Sequence, residues 1–106
     1  MNSEKKRRVR NAPARWVSAK CLCGAVELEI GFPAFWAFHD HSASSRRAHG
    51  AAYATYVGCW KSRFRLTKGA DCVTRYEDKT AGSVRSFCAR CGTPLAYERG
   101  HSPKMV

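Results

Sequence analysis

The sequence predicts a small, mainly β domain. From Trp16 onward, short segments of alternating apolar and polar residues recur at regular spacing, which is the pattern of half-buried strands. The chain has 106 residues, a length typical of one domain. Two pairs of cysteines lie far apart in sequence and have the spacing of metal-binding thiols, so a metal could clamp this thin fold.

The strands are predicted from their alternation and from the turn residues that end them. In residues 25–30, Val26, Leu28 and Ile30 share one face while two glutamates share the other, and a glycine and a proline follow. Further strands are expected over residues 16–19, which lead into the first cysteine pair, and over residues 51–57, 63–66, 72–76, 84–87 and 95–98.

Two local features connect these strands. Residues 72–76 and 84–87 are expected to pair through the polar turn of residues 78–82. Residues 42–49 are the only segment that could form a short helix, and they show no clear apolar face.

The cysteine pairs are the strongest signal for a site. Cys21 and Cys23 precede one glycine, and Cys88 and Cys91 precede another. Four thiolates on two tight turns can close a tetrahedral shell around one structural Zn²⁺, with backbone N–H groups pointing at the sulfurs. The alternatives are a pair of disulfides or four buried thiols. Spacing favours zinc.

The net charge and the number of cysteines indicate the possible partners of the protein and its cellular compartment. The net charge is +11, and residues 1–20 alone carry +6. Residues 1–15 are expected to form a disordered basic tail that could hold nucleic acid weakly through phosphate contacts, or a solvated tail without a partner. Six cysteines without a secretion signal indicate a reducing cytoplasm, and no apolar run suggests a membrane span. Cys59 and Cys72 are interpreted as small buried hydrophobic residues.

The chain resembles the glutathione-dependent formaldehyde-activating enzyme family, which includes centromere protein V. The resemblance rests on three stretches: Cys21-Leu22-Cys23-Gly24-Ala25-Val26, Ser45-Arg46-Arg47-Ala48-His49-Gly50-Ala51 with Tyr56-Val57-Gly58, and Gly82-Ser83-Val84-Arg85-Ser86-Phe87-Cys88-Ala89-Arg90-Cys91-Gly92-Thr93-Pro94-Leu95. It implies a small β-tent of antiparallel sheets hinged on a structural zinc bound by Cys21, Cys23, Cys88 and Cys91. It also implies carbon–sulfur lyase activity on glutathione adducts.

One part of the family pattern is replaced. Active members of the family hold a second, catalytic zinc through three cysteines, and these positions fall on Asp40, Ser42 and Ser45, with His41 after the first. Neutral hydroxyls are poor zinc ligands, and one carboxylate does not replace three thiolates. We therefore expect one structural zinc, no second zinc of the family type, and lyase activity that is lost or altered.

The remaining residues of this segment allow other chemistry. His39 and His41 face the same side of an extended segment, and with His49 or Asp40 they could form a substituted metal site. They could instead line an empty cleft, or a histidine could act as an acid or base without metal. Arg46 and Arg47 suit the carboxylates of glutathione or another small anion, or form a solvated surface.

Three classes of function remain open at this stage. The chain could be a lyase of the family type, a non-catalytic zinc-stapled module that binds a small thiol or anion, or a nucleic-acid or protein interaction module that uses its basic tail. Residues 16–106 are expected to form the zinc-binding domain. Compared with the family, this domain is expected to be shortened at its C-terminus.

Overall fold

The computed structural model describes residues 15–100. Within them, the chain forms eight strands, one helix and two short 3-10 turns. In chain order they are β1 (Arg15–Lys20), β2 (Glu27–Phe32), β3 (Trp36–Asp40), α1 (Ala43–His49), β4 (Ala54–Gly58), a 3-10 turn (Lys61–Arg63), β5 (Phe64–Lys68), a second 3-10 turn (Ala70–Cys72), β6 (Val73–Asp78), β7 (Ser83–Cys88) and β8 (Pro94–Arg99).

The strands form three antiparallel sheets, which confirms the mainly β prediction. One sheet has the order β1-β2-β5, a second contains only β3 and β4, and the third has the order β6-β7-β8. The predicted hairpin is β6 and β7, in which Val73 pairs with Cys88 and Asp78 pairs with Ser83. Each three-stranded sheet also contains one hairpin with a cysteine pair at its turn: β1-β2 in the first sheet and β7-β8 in the third.

The predicted elements differ from the observed ones mainly at their ends. The strand expected from residue 51 begins only at Ala54, and the strand expected over residues 25–30 runs from Glu27 to Phe32. No strand was predicted for β3, Trp36–Asp40. Aromatic residues there occupy alternate positions, but four of its five residues are exposed, so the usual contrast between an apolar and a polar face is absent.

The predicted helix at residues 42–49 is confirmed as α1. Ser42 caps its N-terminus, where the hydroxyl accepts the Ser45 N–H at 3.4 Å. Gly50 ends the helix with φ of 60°, a left-handed conformation that glycine adopts without a Cβ penalty. Ser45 is the buried residue of this short helix, and it faces the cleft described below.

The best-buried core lies between the two cysteine-bearing connections. Cys21, Val26 and Cys88 form one cluster with exposed fractions of 2%, 0% and 0%. Leu95 and Val73 pack against it from the β6-β7-β8 sheet. The core thus consists largely of thiols at the junction of two sheets, so a small number of contacts holds distant parts of the chain together.

Two expectations fall outside the described residues. The basic tail of residues 1–15 is described only at Arg15, which opens β1, and the expectation of a shortened C-terminus concerns residues after Gly100. Between residues 15 and 100, no helix has the length and apolar character needed to cross a membrane.

Gly69 shows why the connection between β5 and β6 can approach the first cysteine pair. Its φ is +79°, and a Cβ at this position would overlap the carbonyl oxygen of Ala25. Its own carbonyl accepts the Cys72 N–H at 2.8 Å and so starts the second 3-10 turn. Only a residue without a Cβ allows both the left-handed backbone and the close approach.

We expect Gly69→Ala to lower the free energy of unfolding by more than the about 1–2 kcal/mol that a left-handed alanine costs. Gly82→Ala is the matched control, because Gly82 has φ of +66° and open space around the Cβ position. Denaturant unfolding of the metal-loaded proteins measures both. Equal losses of stability in the two variants would contradict the role of the Ala25 contact.

Candidate metal centre and adjoining cleft

The four predicted cysteines converge at the junction of the two three-stranded sheets. The sulfur of Cys23 lies 3.6 Å from that of Cys21 and 3.8 Å from that of Cys88. With Cys91 included, all four sulfurs lie within 4.8 Å of one another. Sulfurs around a tetrahedral ion with bonds of about 2.3 Å are about 3.8 Å apart. The cluster therefore fits one four-coordinate metal ion.

Backbone N–H groups point at this cluster as the sequence predicted. The Val26 N–H donates to the sulfur of Cys21 at 3.3 Å, and the Arg90 N–H donates to the sulfur of Cys88 at 3.4 Å. Gly24 and Gly92 make these turns possible, because their φ values are +79° and +78°. Such N–H groups stabilise thiolate charge and fix the direction of each sulfur.

Thr93 is a further residue of this centre that the sequence analysis did not single out. Its hydroxyl accepts the Leu22 N–H at 3.1 Å and contacts the sulfur of Cys91 at 3.1 Å, so it links the two cysteine-bearing turns. The Thr93 hydroxyl and N–H lower the pKa of Cys91 to about 5. Its position directly after the second glycine of the motif was the available signal.

Not every thiol of the cluster ionises easily on its own. A backbone hydrogen bond from Ala25 favours the thiolate of Cys23, but loss of solvent and the three neighbouring thiols raise its pKa to about 11. Four negative charges at these distances repel one another. A bound cation would remove that repulsion and keep all four sulfurs ionised.

The three positions of the replaced metal site also come together, through hydrogen bonds. The Ser42 N–H donates to Asp40 Oδ1 at 3.0 Å, and the hydroxyls of Ser42 and Ser45 donate to Asp40 Oδ2 at 3.1 and 2.8 Å. The Ser42 N–H and the Ser45 hydroxyl are the main reasons that the pKa of Asp40 lies below its usual value.

This cluster continues through Tyr56 to Arg85. The Tyr56 hydroxyl lies 2.7 Å from the Ser45 hydroxyl, and Arg85 Nη1 donates to the Tyr56 oxygen at 2.9 Å. The single hydroxyl proton of Ser45 goes to Asp40, so Tyr56 must donate to Ser45. Hydrogen bonds therefore run in one direction, from Arg85 to the carboxylate. We call Arg85, Tyr56, Ser45, Ser42 and Asp40 together the relay.

The relay does not fit the family's second metal. Asp40 is its only anionic ligand, and the hydroxyl protons of Ser42 and Ser45 already point at that carboxylate. A metal ion would have to displace both hydrogen bonds and would gain two neutral hydroxyl ligands in place of thiolates.

A cavity of about 820 Å³ lies beside the relay. Its volume is within the range of small-molecule sites. Tyr56 and Arg85 of the relay belong to its wall, and other lining residues come from α1, β4, β5, the β6-β7-β8 sheet and the connection after β4: Ser44, Arg47, His49, Val57, Cys59, Phe64, Tyr76, Asp78, Phe87, Pro94, Leu95 and Tyr97. The wall is largely apolar, and Arg47, His49 and Arg85 are basic residues in it.

The structure separates the two predicted arginines. Arg47 lines the cavity, whereas Arg46 contributes only to a shallow depression that also includes Arg47 and residues around Gly50. Both side chains are exposed and lie on α1. Arg47 is therefore the one of the pair that a ligand in the cavity could contact.

The predicted histidines fall into two places. His39 and His41 do lie on the same side of their segment, where both contact Tyr53, with ring centroids 4.7 and 5.1 Å apart. His49 instead lies in the cavity and meets Tyr56 edge-on at 5.7 Å. Over residues 15–100, the four cysteines are the only group of three or more side chains placed to share a metal.

Tyr56, Arg85 and Tyr97 were missed as site residues. The Arg85 guanidinium lies 4.4 Å over the Tyr97 ring, and the rings of Tyr56 and Tyr97 are 5.1 Å apart. In the sequence, each of these residues lies within a predicted strand, and no local motif marks it as part of a site. Only the packing of the β3-β4 sheet against the β6-β7-β8 sheet places them together beside Asp40.

Comparison with known proteins gives matches that span this geometry. The family model described as glutathione-dependent formaldehyde-activating enzyme matches residues 16–106. The crystal structure of a structural-genomics target from Rhodobacter sphaeroides is similar, with a TM-score of 0.70 and 27% sequence identity, covering 84% of this chain and 80% of that one. The family match includes both cysteine-bearing turns and the cleft between them.

We expect Cys88→Ser to lose the bound metal and most of the folded population, because structural metal sites contribute on the order of 10 kcal/mol to folding. Cys72→Ser is the matched control, since Cys72 packs beside the core cluster but is not among the four converging sulfurs. Elemental analysis and thermal unfolding measure the two effects. A folded Cys88→Ser protein with unchanged metal content would contradict the assignment.

His49 should make the fold less stable in mild acid. Burial, with a smaller effect from the Arg85 charge, lowers the pKa of His49 below its ordinary 6.5. The unfolded chain therefore binds this proton more readily, and stability is lost as the pH falls below about 6.5. We expect His49→Gln to lose less stability than wild type between pH 7 and pH 5 in denaturant unfolding.

The control for this measurement is His41→Gln, which removes an exposed imidazole and keeps His49. Asp40 does not interfere, because its pKa lies below 3.8 and its contribution is lost only under stronger acid. An equally reduced pH dependence in both variants would contradict a special role for His49.

Proposed function

The chain belongs to the glutathione-dependent formaldehyde-activating enzyme family, and we propose that it is a zinc-stapled member whose cleft binds glutathione adducts of small aldehydes without a catalytic zinc. The observation that carries this proposal is the relay: Asp40, Ser42 and Ser45 occupy the second-metal positions and are saturated by mutual hydrogen bonds.

Zinc is the proposed occupant of the four-cysteine cluster. Four thiolates at tetrahedral spacing suit this ion, and the closed shell leaves no open position for substrate. Cys21, Cys23, Cys88 and Cys91 would hold it, and its contribution would be structural, because the residues join hairpins from two different sheets. All six cysteines are free of disulfides, which supports the reducing cytoplasm proposed for this protein.

The cavity supports binding of a small anionic ligand. It lies between the helix that carries Arg47 and the sheet that carries Arg85, and among residues 15–100 Asp78 is the only acidic residue in its wall. A glutathione adduct has two carboxylates and a short sulfur-linked substituent. The arginines at the cavity suit a carboxylate, and the apolar wall suits the substituent.

The family reaction itself is expected to be lost. Condensing formaldehyde with a thiol forms a carbon–sulfur bond and moves the thiol proton to the carbonyl oxygen. A catalytic metal would stabilise charge on that oxygen, and this chain has no ligand set for such a metal at the replaced positions. The proposed role is therefore ligand binding, and altered lyase chemistry would have to proceed through protein side chains alone.

We expect the zinc-loaded protein to bind S-methylglutathione, a stable analogue of the hydroxymethyl adduct, and to leave the rate of S-hydroxymethylglutathione formation at its spontaneous value. Calorimetry and an NMR exchange experiment measure the two properties. The control is the triple variant Asp40→Cys, Ser42→Cys, Ser45→Cys, which should recover a second zinc. Metal-dependent acceleration by the unaltered chain would contradict the proposal, as would the absence of binding.

A further inference from the structure

We propose that Arg85, held between Tyr56 and Tyr97, is the carboxylate-binding residue of the cavity. This inference rests on the proposed function insofar as the ligand is a glutathione adduct. It also applies to any small carboxylate with an apolar body. In the sequence analysis, anion binding was assigned to Arg46 and Arg47 on the helix. It is assigned here instead to Arg85, a half-buried arginine on β7.

The surroundings of Arg85 fix its position without using up its donors. The guanidinium lies on the face of Tyr97 at 4.4 Å, and one of its five N–H groups donates to Tyr56. Across the described range 15–100, the guanidinium makes no other hydrogen bond and no ion pair. The remaining donors of a positioned cation are therefore available to a ligand.

The direction of the relay determines what Tyr56 can do. Its proton goes to Ser45, and its oxygen already accepts from Arg85, so the hydroxyl has no proton to offer a ligand. Tyr56 and Ser45 are positioning residues, and the charge that meets an anion is that of Arg85. Asp40 lies at the far end of the relay and balances this charge from two hydroxyls away.

The wall of the cavity defines the rest of the ligand. Arg47 and His49 are also at the cavity. The acidic side chain that the described residues contribute to its lining, Asp78, accepts the Ala81 N–H at 3.1 Å and forms no ion pair with Arg85. The planar fork of one arginine matches a carboxylate, which can accept two parallel hydrogen bonds. Apolar lining such as Phe87 and Leu95 favours an alkyl chain beside it.

The test uses the zinc-loaded full chain and three probes: hexanoate, its neutral analogue hexanamide, and S-hexylglutathione. We expect hexanoate to bind the unaltered chain at least tenfold more tightly than hexanamide, because a charge-assisted pair is lost with the amide. In Arg85→Gln, the two should bind equally weakly. Arg46→Gln also removes one positive charge, but outside the cavity. This variant should therefore keep the full difference in affinity between hexanoate and hexanamide.

Two further measurements keep the proposal falsifiable if Arg85→Gln does not fold. Arg85→Lys retains the charge but not the fork, so it should give an intermediate preference for hexanoate. In the unaltered chain labelled with ¹⁵N-arginine, hexanoate should shift the Nε–H signal of Arg85. A shift confined to Arg47, or equal affinity of the unaltered chain for hexanoate and hexanamide, would overturn the inference.

The glutathione probe distinguishes this inference from the proposed function. Arg85-dependent binding of both hexanoate and S-hexylglutathione supports both. Binding of hexanoate alone supports the carboxylate site and contradicts the glutathione proposal. Binding of S-hexylglutathione that is unchanged in Arg85→Gln supports the glutathione proposal and overturns the role of Arg85. Failure of both ligands to bind the unaltered chain overturns both.

Discussion

The convergence of four thiols at one junction is the constraint on which the rest of this structure depends. Cys21 and Cys23 lie in the connection from β1 to β2, Cys88 is the last residue of β7, and Cys91 lies in the connection from β7 to β8. Each sheet alone has few buried apolar side chains, and the fully buried Val26 of the first connection packs in one cluster with Cys21 and Cys88. A thin β domain of this size gains cohesion when one centre fixes both sheets.

The relay holds together the three positions at which the family resemblance leads us to expect metal-binding cysteines. A carboxylate at position 40 accepts hydrogen bonds from two serines, so the residues remain together although no thiolate is left. Because the chain of donors runs from Arg85 to Asp40, a positive charge is placed at the cavity end and its counter-charge is placed away from it. This arrangement is the basis of the anion binding that we propose for the cavity.

Local sequence predicted those features whose causes lie within a few residues. The spacing of the cysteines predicted the cluster, and the cap at Ser42 and the glycine at position 50 delimit the predicted helix. Strand ends were less well predicted, and β3 was missed because four of its five residues are exposed and its alternation does not separate inside from outside. Its pairing with β4, rather than its own pattern, makes it a strand.

The sequence by itself determined the two cysteine-bearing turns, the strand-rich fold and the absence of thiols at positions 40, 42 and 45, because each depends on residue types at short spacing. Only the tertiary structure decided which polar residues act together. Tyr56 is 29 positions from Arg85 and 11 from Ser45, yet hydrogen bonds join all three. No periodicity encodes such pairs. They arise because the helix α1 and two small sheets pack together, which brings Ser45, Tyr56 and Arg85 within hydrogen-bonding distance beside the cavity.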